Sequence, residues 1–190
     1  MSFWDDQAAT FDEAPDHGML DPDVRAAWRD VLLAALPPGP GLAADLGCGT
    51  GTVAVLLAEA GFEVRGVDLS ARMVAAASAK VAGLPVEIAQ GDAADPPLSP
   101  GTFDVVFARH VLWALPEPDA VLGRWVRLLR PNGRLVLVEG FWETGGGITA
   151  ARCQEMVARH RETVEVRHLT DPRLWGRAVT DERYLVLSPR

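Results

Sequence analysis

The 190-residue chain is 48% hydrophobic and 23% charged, ordinary values for one globular domain with a sizeable core. Its formal net charge of −8 comes without a basic face to grip phosphates, which argues against nucleic acid as a partner. No apolar run approaches the ~20 residues of a membrane span, and the acidic start Phe3-Trp4-Asp5-Asp6 lacks a signal peptide's basic head and apolar middle, so the expectation is a cytoplasmic protein with no membrane partner.

Residues 1–21 mix Phe3, Trp4 and Phe11 with acids and read as irregular. Asp21 as N-cap, Pro22 in the first turn and the shared face of Val24, Trp28, Val31, Leu32 and Ala35 predict a helix over 22–36. Pro37-Pro38-Gly39-Pro40-Gly41 stops it. From there short apolar strands (42–47, 62–68, 85–89, 103–108 and 133–139) alternate with amphipathic helices (51–60, 70–82, 118–130 and 149–161). That alternation predicts an α/β, doubly wound, mostly parallel sheet with helices on both faces. Two closing strands are expected at 163–169 and 182–188. No repeat or second-domain boundary is visible, so 1–190 reads as one domain. Cys48 and Cys153 are not expected to pair, and no Cys/His spacing suggests zinc.

The chemistry concentrates where the first of these strands turns into its helix, at Asp45-Leu46-Gly47-Cys48-Gly49-Thr50-Gly51. Alternating glycines allow a tight turn and let a ligand approach the main chain, and the first amides of the following helix point at it. The spacing is Gly-x-Gly-x-Gly, one residue shorter than the dinucleotide fingerprint Gly-x-Gly-x-x-Gly. Asp68 ends the second strand in Val67-Asp68-Leu69-Ser70, a position suited to a ribose diol. A third acid, Asp92, follows Gln90-Gly91.

With these pieces, together with Phe103-Asp104-Val105-Val106 and Leu129-Arg130-Pro131-Asn132-Gly133-Arg134-Leu135, the chain resembles the class I S-adenosylmethionine-dependent methyltransferases, most nearly the ubiquinone- and menaquinone-type core. The matching pieces cover residues 41–140 in the family's order. The resemblance implies a Rossmann-like sheet of seven strands with an antiparallel pair at its edge. It implies an N-terminal lid and helix (1–40), a cofactor-binding core (41–140) and a closing helix with edge strands (141–190). S-adenosylmethionine is the implied cofactor, held by Asp45, Gly47, Cys48, Gly49, Gly51, Asp68, Leu69, Met73, Asp92, Ala93 and Arg109. Asp68 takes the ribose, Asp92 and Ala93 the adenine, and Met73 either packs on the adenine or belongs to the core.

The turn Ala108-Arg109-His110-Val111-Leu112-Trp113 follows the fourth strand, where ligands of open α/β sheets bind, so it should face the transferred methyl. His110 is a candidate general base, or a residue that shapes the pocket. His17, Met19, Trp113 and Trp142 complete the expected acceptor pocket with it. The turn lacks the Asn/Asp-Pro-Pro-aromatic signature of amide and nucleobase methyltransferases, and Arg109 and His110 stand where a metal-dependent type needs carboxylates, so no metal is expected. A small-molecule acceptor, and a monomer or homodimer, complete the expectation. Two alternatives remain open at this point: a cofactor-binding partner or sensor without transferase activity, and an NAD-dependent oxidoreductase, which the glycine spacing disfavours.

Overall fold

The computed structural model describes residues 3–189. Its sheet has seven strands: β1 (Gly41–Leu46), β2 (Phe62–Asp68), β3 (Val86–Gln90), β4 (Phe103–Arg109), β5 (Leu129–Phe141), β6 (Glu165–His168) and β7 (Glu182–Ser188). Their order across the sheet is β3-β2-β1-β4-β5-β7-β6. β1 to β5 pair in parallel, and β7 runs antiparallel to both β5 and β6. The helices are α1 (Phe3–Gln7), α2 (Pro15–Gly18), α3 (Pro22–Ala35), α4 (Thr52–Glu59), α5 (Ala71–Lys80), α6 (Pro118–Leu128) and α7 (Ala150–Ala158).

Strand periodicity assigns the core. In β4, Val105 and Phe107 face one way, with Trp28 and Leu32 of α3 and Val53 and Leu57 of α4. Val106 and Ala108 face the other, with Trp125 of α6 and Cys153 and Val157 of α7. Both faces are covered, which is why the central strands are largely apolar. Each fully buried Val, Leu or Phe contributes roughly 1.5–3 kcal/mol. As expected, α3 starts on Asp21, whose carboxylate accepts from the Asp23 amide at 2.8 Å, with Pro22 in the first turn.

Two expectations are corrected. Residues 3–18 are not irregular: they form α1, a 3₁₀ turn at Phe11–Glu13 and α2. These pieces are too short to stand alone and are held by contacts to the rest of the chain. The second correction concerns β5, which begins at Leu129, directly after α6, rather than at 133. Leu129 pairs with Phe103, the chain then loops out, and pairing resumes at Arg134 opposite Val105. Within the loop Asn132 adopts φ +66°, and a Cβ on Gly133 would lie 2.7 Å from the Phe103 carbonyl oxygen.

The winding reverses between β1 and β4, adjacent strands whose helices lie on opposite faces. This opens a crevice beyond their carboxyl ends, the position where such sheets bind ligands.

Candidate functional site

The loop leaving β1 builds one wall of that crevice. Gly47, Gly49 and Gly51 have φ of +71°, +53° and +82°. At Gly47 space is as restrictive as conformation, since a Cβ would lie 2.4 Å from Val111 Cγ2. The Gly47 and Cys48 amides donate to the Val67 carbonyl at 2.8 and 3.1 Å, tying the loop to β2. Asp68, at the tip of β2, accepts from the Gly49 amide through Oδ2 at 2.8 Å and from the Ser70 amide through Oδ1 at 2.9 Å. Its carboxylate is thereby oriented and borders the crevice. Burial raises its pKa, and those two amides oppose the rise. Ser70 separately caps α5, accepting from the Met73 amide at 3.2 Å.

Asp45 lies behind the loop, buried, with Oδ2 lacking any partner. Burial first, and the Asp68 charge second, lift its pKa to about 7. Such an orphaned buried oxygen is costly unless a ligand donates to it. Cys48 is no nucleophile, because burial drives its thiol pKa upward and keeps it protonated.

The N-terminal segment lies across this wall. The Ser70 hydroxyl and an Asp5 carboxylate oxygen are 2.5 Å apart. Asp12 accepts from the Thr50 hydroxyl at 2.5 Å and from Lys80 Nζ at 2.7 Å. Lys80 also donates to Thr52 at 2.8 Å, so one lysine joins the N-terminal segment, the start of α4 and the end of α5. Phe11 stacks on His17 with ring centroids 4.2 Å apart, and the Phe11 ring lies 3.3 Å from where a Gly49 Cβ would be.

The opposite wall is the turn after β4. Arg109 donates to the Asp16 carboxylate and to the Asp16 carbonyl, both at 2.6 Å, and lies 4.4 Å over the Trp28 ring. His110 has φ +56°, a strained conformation worth ~1–3 kcal/mol that persists only where surroundings enforce it. Here its amide donates to the Val138 carbonyl at 2.8 Å, and its carbonyl accepts from Trp113 Nε1 at 3.0 Å. Glu139 holds the next residues, accepting from the Leu112 and Val111 amides at 2.8 and 3.1 Å, while burial lifts its pKa to about 8. The His110 ring meets Trp142 edge-on at 5.4 Å, and its Nε2 is buried without a partner. Burial, reinforced by Arg109, holds its pKa well below that of a free histidine.

Both walls line one cavity of about 690 Å³, within the ~300–1,000 Å³ usual for small-molecule sites. Of the expected cofactor residues, Asp45, Gly47, Cys48, Gly49, Asp68, Leu69, Met73, Asp92, Ala93 and Arg109 line it. So do His17, His110, Trp113 and Trp142 of the expected acceptor pocket. Two residues do not. Gly51 packs against α5, where a Cβ would lie 3.0 Å from that of Ala77. Met19 ends α2 in a left-handed conformation and is buried in the core with Val24 and Trp28. The Arg109 guanidinium is committed to Asp16 rather than left for a cofactor carboxylate. Sequence reasoning missed Asp12, Asp16, Thr50, Lys80 and Arg183; the available signal was Lys80, the single lysine of the chain.

Asp16, His17 and His110 each bring one ligand-type atom within 4.8 Å of the others. A dication there would lie against the Arg109 guanidinium, which already neutralises Asp16, and charge repulsion opposes it.

Residues 44–137 match the family described as "Methyltransferase domain". Nocamycin O-methyltransferase of Saccharothrix syringae is 42% identical over 113 residues, 56% of this chain and 40% of that one. A demethylmenaquinone methyltransferase of Beutenbergia cavernae is 35% identical over 137 residues, 72% of this chain and 55% of that one. The chain spans about half the length of the curated relatives it matches. Among solved structures, geranyl diphosphate methyltransferase in complex with SAM superposes with a TM-score of 0.74 at 21% identity, over 87% of this chain and 85% of that one. The [4+2]-cyclase SpnF superposes equally well, at 0.74 and 19% identity over 86% and 80%. At these identities the likeness establishes the fold, and a fold alone does not select a reaction.

Proposed function

Because the chain belongs to the class I S-adenosylmethionine-dependent methyltransferases, we propose that it transfers a methyl group from S-adenosylmethionine to a small-molecule acceptor. The observation that carries this reading is Asp68, fixed by the Gly49 and Ser70 amides at the mouth of a three-glycine turn, in one cavity with the aromatic turn after β4. The residues present fit the cofactor. Asp68 keeps acceptor capacity for a ribose diol, Asp92 and Met73 line the same cavity and would flank the adenine, and the orphaned Asp45 Oδ2 would offer an acceptor to an ammonium group.

When bound, the cofactor supplies an already activated methyl on a sulfonium sulfur. What the chain adds is placement and exclusion of water. The N-terminal segment closes over the glycine loop as a lid through Asp5 and Asp12. The Trp113 and Trp142 walls orient the acceptor, and near-attack placement at ~3–3.5 Å provides much of the rate. His110 stays neutral at physiological pH, the state in which its free Nε2 accepts a proton.

The test is incubation with methyl-labelled S-adenosylmethionine and metabolite extracts. The expected result is label in a small molecule with an equivalent of S-adenosylhomocysteine formed. Tight cofactor binding with no label transferred would favour the binding-protein alternative.

A further inference from the structure

Glu139, near the end of β5, is fully buried and stands outside the lining of the cavity. Its carboxyl faces Cys153 of α7 and Tyr184 of β7, and Oε2 has no partner among the described residues. A buried carboxyl with an orphaned oxygen opposes folding, and an apolar side chain would fill the same place without that cost. The use of the carboxyl lies at its other oxygen. Oε1 accepts from the Val111 and Leu112 amides at 3.1 and 2.8 Å, at the start of the 3₁₀ turn Leu112–Ala114. Amides at a helical start have no partner within their own turn.

This turn carries two of the three rings on the wall opposite the glycine loop. His110, just before it, is held at φ +56°, and the Trp113 indole donates to the His110 carbonyl at 3.0 Å. The third ring, Trp142, follows Glu139 by three residues along the chain. The Trp142 amide donates to the Gly146 carbonyl at 2.9 Å, and its ring occupies the place where a Gly147 Cβ would come within 2.7 Å. Trp142 meets His110 at 5.4 Å and Trp113 at 5.0 Å. Glu139 thus joins both turns that bear these rings, one through its carboxyl and the other through its main chain. The glycine loop is fastened separately, by the Gly47 and Cys48 amides on the Val67 carbonyl and by Asp68 on the Gly49 amide.

Resting on the methyl-transfer reading, we infer that Glu139 is a positioning residue for the reaction: its Oε1 sets the turn bearing His110 and Trp113 against Trp142, and so fixes where the acceptor lies relative to the methyl. Glu139 touches neither acceptor nor cofactor and acts only through this turn. Withdrawing the oxygen by one methylene frees the two amides, and a misplacement of ~1 Å relayed to a reacting centre costs about 10²-fold in rate. The amides need an acceptor oxygen at that reach, which a glutamine also offers, so the charge plays no part.

The experiment crosses reach with charge. Glu139→Asp keeps the carboxyl and shortens it, whereas Glu139→Gln keeps the reach and removes the charge. Three quantities are measured for both variants and the unmodified protein. They are S-adenosylhomocysteine affinity by calorimetry, label transfer from methyl-labelled S-adenosylmethionine into saturating metabolite extract, and hydrogen exchange at the Val111 and Leu112 amides by NMR. Glu139→Asp should bind S-adenosylhomocysteine within about threefold of the unmodified protein, exchange the two amides faster and lose ~10–10²-fold in labelling rate. Glu139→Gln should stay close to the unmodified protein in all three. A Glu139→Gln protein that binds S-adenosylhomocysteine yet loses transfer as Glu139→Asp does would overturn the inference, because charge rather than reach would then matter. Normal transfer by Glu139→Asp would overturn it too. So would a loss of S-adenosylhomocysteine affinity in step with transfer, which would make Glu139 a support of the fold at large. If the unmodified protein binds S-adenosylhomocysteine and labels nothing, the methyl-transfer reading falls, and the amides still decide whether Glu139 sets the turn. Faster exchange in Glu139→Asp alone upholds that brace, and equal exchange in all three proteins overturns it.

Discussion

Asp68 shows how much one side chain can carry. Its two oxygens shape the glycine loop through Gly49 and start α5 through Ser70, and a carboxylate has about four acceptor directions, so capacity for a ligand remains. Asp68→Ala should weaken S-adenosylhomocysteine binding about tenfold to over a hundredfold by calorimetry, more than it lowers the denaturation midpoint. Unchanged affinity would falsify the ribose assignment. Gly49→Val should fold yet fail to bind, since a β-branched residue resists φ +53° and its Cβ meets Phe11 at 3.3 Å. Glu139 makes a prediction about pH. Its folded pKa of about 8 exceeds its ordinary value of 4.5, so between the two the folded chain keeps a proton that the unfolded chain has released. Stability should therefore fall as pH rises through that window and level off above it. Glu139→Gln keeps an oxygen for the Val111 and Leu112 amides and should recover on the order of 2–4 kcal/mol of the loss between pH 5 and 8, read by urea denaturation. Asp45, lifted to about 7, continues to contribute below that pH. At this scale the place of Asp45, Asp68 and Asp92 on the cavity wall was legible because acids at strand ends are marked in the sequence. The pairing of Arg109 was not, since Asp16 lies 93 residues away and nothing local marks the pair.

Elements with a period read well, and elements held by contacts did not. β1 to β4 and α3 to α5 lie close to their expected ranges because apolar alternation and caps such as Asp21 and Ser70 are local signals. The start of β5 escaped because its first pair, Leu129 with Phe103, is separated from the rest by a loop-out. The N-terminal pieces escaped because helices of five and four residues have no period to read. Their attachment is weak by the same measure. The Lys80–Asp12 pair is about a third exposed, and such pairs contribute ~0.2–1 kcal/mol. Lys80→Met, which keeps the length and removes the charge, should speed proteolysis within residues 1–20 several-fold, with S-adenosylhomocysteine slowing cleavage of the unmodified protein. Equal cleavage of both proteins, with and without the ligand, would mean that the segment does not act as a lid.

For the molecule as a whole, the order β3-β2-β1-β4-β5-β7-β6 does the positioning. It sets Asp45 and Asp68 on one side of the reversal and Arg109 and His110 on the other, so that all four line one cavity. The alternation of strands and helices made this topology legible, whereas the cavity wall drawn from the N-terminal segment, the turn after β4 and β7 has no comparable sequence signature. The most direct measurement is a crystal structure of the complex with S-adenosylhomocysteine. Ribose hydroxyls are expected on Asp68, adenine beside Met73 and Asp92, and the sulfur directed toward His17 and His110. A ligand lying with its sulfur turned away from both histidines, or bound outside the glycine loop, would contradict that placement.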